Sequence, residues 1–194
     1  YFADPDIAKF MDKIPVPLLF TNRAGWEGGI FRGNEQQRLK PLIEAVEQGA
    51  AYVDLEINSP QISRKTIVDL KEKSETKLIF SFHDFNKTPD KSFLLDVMKK
   101  MVEEGGDIGK TITTAENWRD ALRVLELQKE ADHLSFPLIA FCMGEPGVVT
   151  RIATCQLGGF MTYCALPGHG GTAAGQIGVD EMREIFLLSG KKET

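Results

Sequence analysis

Short apolar runs and amphipathic helical stretches alternate six times along this chain, and that alternation limits the fold more than any other feature. Strand-type runs lie at Pro15–Thr21, Ala51–Glu56, Lys77–His83, Ile108–Ile112, Phe136–Met143 and Gly159–Ala165. Helix-period segments fall around them. The first is Asp6–Ile14, and the second is Glu35–Gln48, with Leu39, Leu42, Ile43 and Val46 on one face. Pro41 predicts that this helix starts near it or kinks. Ile62–Lys73 follows, with Ile67 and Leu70 inward. Pro89–Glu104 carries the stripe Leu94, Val97, Met98 and Met101; Thr88 offers a capping hydroxyl ahead of Pro89, and Gly105 and Gly106 stop the helix. Ala115–Ala131 is expected to turn Trp118, Ala121, Leu122 and Leu125 inward. Val148–Gln156 and Asp180–Ser189 close the series, the last with Met182, Ile185 and Phe186.

Strands separated by helices imply a parallel sheet with crossover helices. Leu138–Met143 is apolar at every position, as a strand covered on both faces requires. An open doubly wound sheet and a closed (β/α)8 TIM barrel both meet this description. The dinucleotide fingerprint G-x-G-x-x-G is absent after the first strand, which disfavours the open form. The strand ends favour the barrel. They carry in turn Arg23, Glu56, His83, Lys110 close to its strand end, Met143 with Gly144, and the Gly-rich loop Pro167–Gly171. Barrel strand ends converge on one mouth, whereas the outer strands of an open sheet lie too far apart for such groups to meet. A barrel needs eight strands and six are legible, so residues 1–194 are expected to be a single barrel domain, N-terminally incomplete, with about six of the eight βα units. The absence of an initiator Met agrees with that expectation.

Composition narrows the function class. With 194 residues, 42 % hydrophobic and 26 % charged, the chain is an ordinary globular domain and not a disordered one. A net charge of −5 without a basic tract argues against nucleic acid. The longest apolar runs fall far short of the roughly 20 residues of a membrane span, and no secretory signal opens the chain. Cys142, Cys155 and Cys164, spaced by 13 and 9, fit neither a disulfide framework nor a zinc site, so they are expected to be buried reduced thiols in a cytoplasmic protein. No histidine or carboxylate cluster suggests a metal.

The chemistry lies in a few titratable residues. Lys110 sits among apolar strand residues. Burial disfavours the ammonium and lowers an amine's pKa from about 10.4, which makes it a nucleophile toward carbonyl carbon. The other reading of Lys110 is a lysine that snorkels to the rim. His83 ends its strand, either as a proton carrier or as a hydrogen-bonded cap. Alternation puts Asp54 and Glu56 on one side, where a carboxylate next to an imidazole would orient it or form a rim ion pair. Arg23 and Arg151 suit a bidentate grip on an anion, or ordinary surface pairing.

At these residues the sequence resembles the type I 3-dehydroquinate dehydratase family, the Schiff-base class. The matching segments are Phe20–Gly29, Ala51–Glu56, Phe80–Pro89, Asp107–Lys110, Met143–Arg151 and Thr172–Gln176. They occur in family order over almost the whole chain. The most specific part is the S-x-H-D-F-x-K-T-P run with a lysine 27 residues after His83. The resemblance implies a (β/α)8 barrel without cofactor or metal, acting on the small molecule 3-dehydroquinate in the shikimate pathway, often as a homodimer. It implies that Lys110 forms an imine with the C3 ketone, that His83 moves the protons, and that Glu56 orients and supports the site. Arg23 and Arg151 match substrate-holding positions, Gln176 matches a residue of the closing loop, and Thr172 stands where the family usually has Ser. The family's E-W-R motif is missing, and Ala174 replaces a usual proline. Two alternatives follow from the same pattern. One is a catalytically impaired barrel fragment. The other is a Schiff-base aldolase of a phosphorylated sugar, with Pro167–Gly171 as its phosphate loop.

Overall fold

Helix and strand alternate in the computed structural model as the periodicity requires; it describes residues 5–168, 171, 173 and 175–190. Helix α1 spans Ile7–Lys13, its first turn capped by Asp6, which accepts from the Lys9 N–H at 3.0 Å. Strand β1 is Leu19–Thr21. Helix α2, Glu35–Glu47, opens on a reciprocal capping box between Asn34 and Gln37 and runs unbroken through Pro41. There follow β2 Tyr52–Glu56, α3 Gln61–Lys71, β3 Lys77–His83, α4 Lys91–Glu103 and β4 Ile108–Thr114. The series ends with α5 Trp118–Leu125, α6 Leu127–His133, β5 Leu138–Met143, α7 Val148–Gln156 and α8 Val179–Leu188. Sheet order follows chain order, β1-β2-β3-β4-β5. The first two pairings are parallel, with Leu19 opposite Tyr52 and Glu56 opposite Ser81.

The chain divides into two units. One comprises the residues to Phe82 together with Lys99–Gly109. Its core joins Leu39, Leu42 and Val46 of α2 with Val53 and Leu55 of β2 and Leu78 and Phe80 of β3, all buried. Asp107 fastens its edge, accepting from the Leu78 N–H at 2.8 Å and from Lys71 at 2.9 Å. The other unit comprises His83–Met98 and the residues from Lys110. Here Ile112 of β4, Ile139 and Phe141 of β5, and Ala121, Val124 and Leu127 of α5 and α6 are buried. The Cys142 N–H donates to Thr150 Oγ1 at 2.7 Å, and that hydroxyl donates to Gly147 O at 2.5 Å, which ties the start of α7 to β5.

Several expectations are corrected. The sixth run, Gly159–Ala165, is not a strand. It joins β5 where the Phe160 N–H donates to Leu138 O, and it ends in an isolated parallel bridge between Ala165 and Gly178. Apolar patterning reports an extended, half-buried segment, but a ladder also needs a partner strand, which the pattern does not contain. Strand β4 reaches Thr114 rather than Ile112, so Lys110 is its third residue and not near its end. The Thr88 hydroxyl does not cap α4; it bonds the hydroxyl of Thr113 at 2.8 Å and donates to Thr114 O at 2.9 Å. The expected helix Ala115–Ala131 is two helices meeting at Glu126, whose ψ of −20° tightens the turn. Its inward face is Ala121 and Val124, while Trp118 and Leu122 are 63 % and 50 % exposed. Cys142 and Cys155 are buried as expected, but Cys164 is only half-buried.

Candidate active site

In the first unit the end of β2 gathers a network of buried charge. Asp54 and Glu56 point the same way because strand side chains repeat every second residue. Arg23, two residues beyond β1, reaches both: its Nη2 lies 2.7 Å from Asp54 Oδ1 and its Nη1 lies 2.9 Å from Glu56 Oε1. Ser81, opposite Glu56 in register, accepts from Arg23 at 2.5 Å and donates to Asp54 at 2.6 Å. Burial works against the Arg23 charge, but Asp54 and Glu56 outweigh it and hold the guanidinium above its ordinary value. The second Glu56 oxygen accepts from Arg38 Nη1 at 2.7 Å. Each of the five N–H donors of Arg38 has an acceptor: both Glu35 oxygens, Asn22 O, Glu56 and Ser59. The turn after Arg23 closes tightly, and a Cβ at Gly29 would lie 1.7 Å from Arg23 O, so only glycine fits.

The carboxylate that the sequence pattern set beside an imidazole is therefore bonded, within its unit, to two guanidiniums. It is fully buried, which removes the rim reading. A carboxylate so held fixes the Arg23 geometry.

In the second unit Lys110 is 7 % exposed, so it is not a rim lysine. Its Nζ lies 4.5 Å from the centroid of the Tyr163 ring. Tyr163 meets Phe141 of β5 with ring centroids 6.2 Å apart, and Phe141 carries the Arg151 guanidinium 4.6 Å above its own ring. Arg151, on α7, is 1 % exposed rather than a surface ion pair. Burial pushes its guanidinium below its ordinary value, and the Cys164 and Cys142 thiols act the other way. His83 is half-buried and stacks on Phe85 at 6.2 Å between centroids. The next residue, Asp84, donates its N–H to Ile112 O at 2.9 Å. That bond sets the strand end bearing His83 alongside the stretch of β4 that begins with Lys110. Gln176 is half-buried, and its N–H donates to Ala173 O at 3.3 Å. Thr172, Ala174 and part of the Pro167–Gly171 loop lie outside the described residues.

The structure thus joins Arg23 with Glu56 in one unit, and Lys110 with Arg151 through Tyr163 and Phe141 in the other. Sequence reasoning missed Arg38, Ser81, Tyr163 and Phe141 as site residues. Ser81 was findable from strand register alone. Arg38 had only its spacing from Glu35 as a signal, and the two aromatics looked like core. Among the described residues no group of His, Cys, Asp or Glu is placed to hold a metal ion, and no helix is long and apolar enough to cross a membrane.

Comparison with known proteins adds an independent line. The family model described as type I 3-dehydroquinase matches residues 3–193. The 3-dehydroquinate dehydratase of Desulfotalea psychrophila is 47 % identical over 186 residues, covering 96 % of this chain and 82 % of that protein. A crystal structure of type I 3-dehydroquinate dehydratase from Clostridium difficile with covalent modified comenic acid superposes with a TM-score of 0.86 at 29 % identity, covering 95 % of this chain and 73 % of that one. The 3-dehydroquinate dehydratase of Geobacillus kaustophilus gives 0.84 at 29 % identity, covering 92 % and 69 %. These matches put the parallel sheet in the (β/α) barrel class. With the family model spanning nearly all of the sequence and a bacterial relative sharing almost half of its residues, the chain belongs to the type I 3-dehydroquinase family.

Proposed function

We propose that this chain is a lyase that dehydrates 3-dehydroquinate to 3-dehydroshikimate through a Schiff base on Lys110. The observation that carries the reading is the buried Lys110 amine on β4, beside the strand end that bears His83. A desolvated amine is the nucleophile that such chemistry needs. Its nitrogen adds to the C3 ketone, a proton is taken up and water leaves, giving an iminium. The iminium withdraws electrons from the adjacent carbon, so the C2 proton becomes removable. His83 takes that proton, and the electron pair forms an enamine. The enamine then expels the C1 hydroxyl, which leaves as water with a proton from the imidazole. Hydrolysis of the conjugated iminium consumes one water and frees product and amine, so the net change is loss of one water. Arg151 holds anionic or hydroxyl groups of the substrate in the same unit. Arg23 does the same in its own unit, with Glu56 keeping it in place, and Thr172 and Gln176 belong to the closing loop.

The substrate is a small molecule. What supports a cytoplasmic setting is that none of the three cysteines is in a disulfide. A homodimer rests on the family resemblance, and sedimentation tests it.

Borohydride added with 3-dehydroquinate should fix ligand mass on Lys110, read by peptide mass spectrometry, and Lys110→Ala should abolish trapping in a folded chain. Trapping on another lysine, or none at all, overturns the assignment. His83→Ala should lower turnover on the order of a hundredfold or more while trapping persists. Unchanged turnover would remove His83 from proton transfer.

A further inference from the structure

The amine of Lys110 does not lie in a uniformly apolar pocket; it lies 4.5 Å from the centre of an aromatic face. Tyr163 is half-buried in the extended segment between α7 and the Ala165 bridge, and its ring is backed by Phe141. This position matters for a nitrogen that must be neutral at the start of the reaction and cationic afterwards. Burial alone favours the first state and penalises the second. An aromatic face acts on the second state. Its quadrupole attracts a cation within about 6 Å by an amount far below that of a buried ion pair. It is also fixed in place before the charge develops, as electrostatic catalysis requires.

We propose that Tyr163 is a positioning residue whose ring face holds the Lys110 nitrogen and stabilises the iminium formed there. The inference rests on the Schiff-base reading. Carbonyl carbon and Nζ form a bond, one proton is taken up, one water leaves, and the positive charge resides on the C=N unit against the ring. The hydroxyl of Tyr163 has no part in this step.

The test keeps the shape of the ring and varies its electrons. In the chain as it stands, position 163 is changed to Phe, to its mono-, di- and trifluorinated analogues, and to Leu. Turnover, KM and the fraction trapped by borohydride with 3-dehydroquinate are measured for each, and folding is followed by circular dichroism. Tyr163→Phe should stay within about threefold of the parent. Tyr163→Leu should lose about tenfold in turnover with little change in KM. Along the fluorinated series turnover and trapping should fall with each fluorine while the melting temperature stays level. A flat series overturns the proposal even if Tyr163→Leu misfolds. A loss in Tyr163→Phe as large as in Tyr163→Leu overturns it too, because the hydroxyl would then be the active part. If the parent chain is not trapped at Lys110, the Schiff-base reading fails and this inference with it; if the parent is trapped and the series is flat, only the role of the ring falls.

Discussion

Arg38 shows how much a single buried side chain can be asked to hold. It is 2 % exposed, carries a full charge, and bonds two carboxylates, a hydroxyl and a backbone carbonyl. Such a group adds little net stability relative to an apolar residue of the same size, but removing one partner leaves the other charge stranded. Arg38→Met should therefore destabilise the fold by about 3–5 kcal/mol, because the buried Glu56 loses one of its two guanidiniums. Urea unfolding of parent and variant measures this, and a loss below about 1 kcal/mol would mean that the network relaxes around Glu56. Arg38→Lys should not rescue it, since an ammonium cannot supply five donors in a planar fork. Arg38 lies on α2, ahead of every strand-end residue except Arg23. A reading of strand ends alone passes over it, although it bonds the carboxylate that such a reading selects.

At the scale of an element, α2 is held at its start by more than its capping box. Glu35, in the first turn, accepts from Arg38 at 2.8 Å through each oxygen and from Ser63 Oγ of α3 at 2.8 Å. Burial raises its pKa, but the Arg38 and Ser63 bonds prevail and hold it below the ordinary 4.5. A carboxyl whose folded pKa is depressed contributes stability above its unfolded pKa and loses it as pH falls through the folded value. Glu35→Gln should thus be less stable than the parent at pH 7, and the gap should narrow below pH 4.5, closing further toward about pH 3. Chemical denaturation at the two pH values checks this; a gap that stays constant would show that packing and not ionisation is responsible. The same helix shows why boundaries resist prediction. Pro41 offers a start for α2, yet the helix begins at Glu35 and contains it, with Leu39, Leu42 and Val46 buried on one face. Likewise, the face of α5 follows what packs against it and not the bulk of Trp118.

At the scale of the whole chain, the alternation of periods was enough to read the parallel α/β class, and the strand ends were enough to find Arg23, Glu56 and His83 where they lie. Lys110 was legible as a buried lysine because apolar neighbours flank it in sequence. Its contact with Tyr163 was not, since that ring lies 53 residues further on and arrives from a segment whose backbone was misread as a strand. Spacing records what lies on one element, whereas a pair of groups from distant segments depends on how those segments dock. Sheet order has a consequence of its own. Leu19 pairs with Tyr52, 33 residues on, and Tyr52 pairs with Lys77, 25 residues on. Each is the span of one strand and its crossover, with no other strand between the pair. A nascent chain emerging from the ribosome would thus present each new strand to an edge already made, and translation order would double as assembly order.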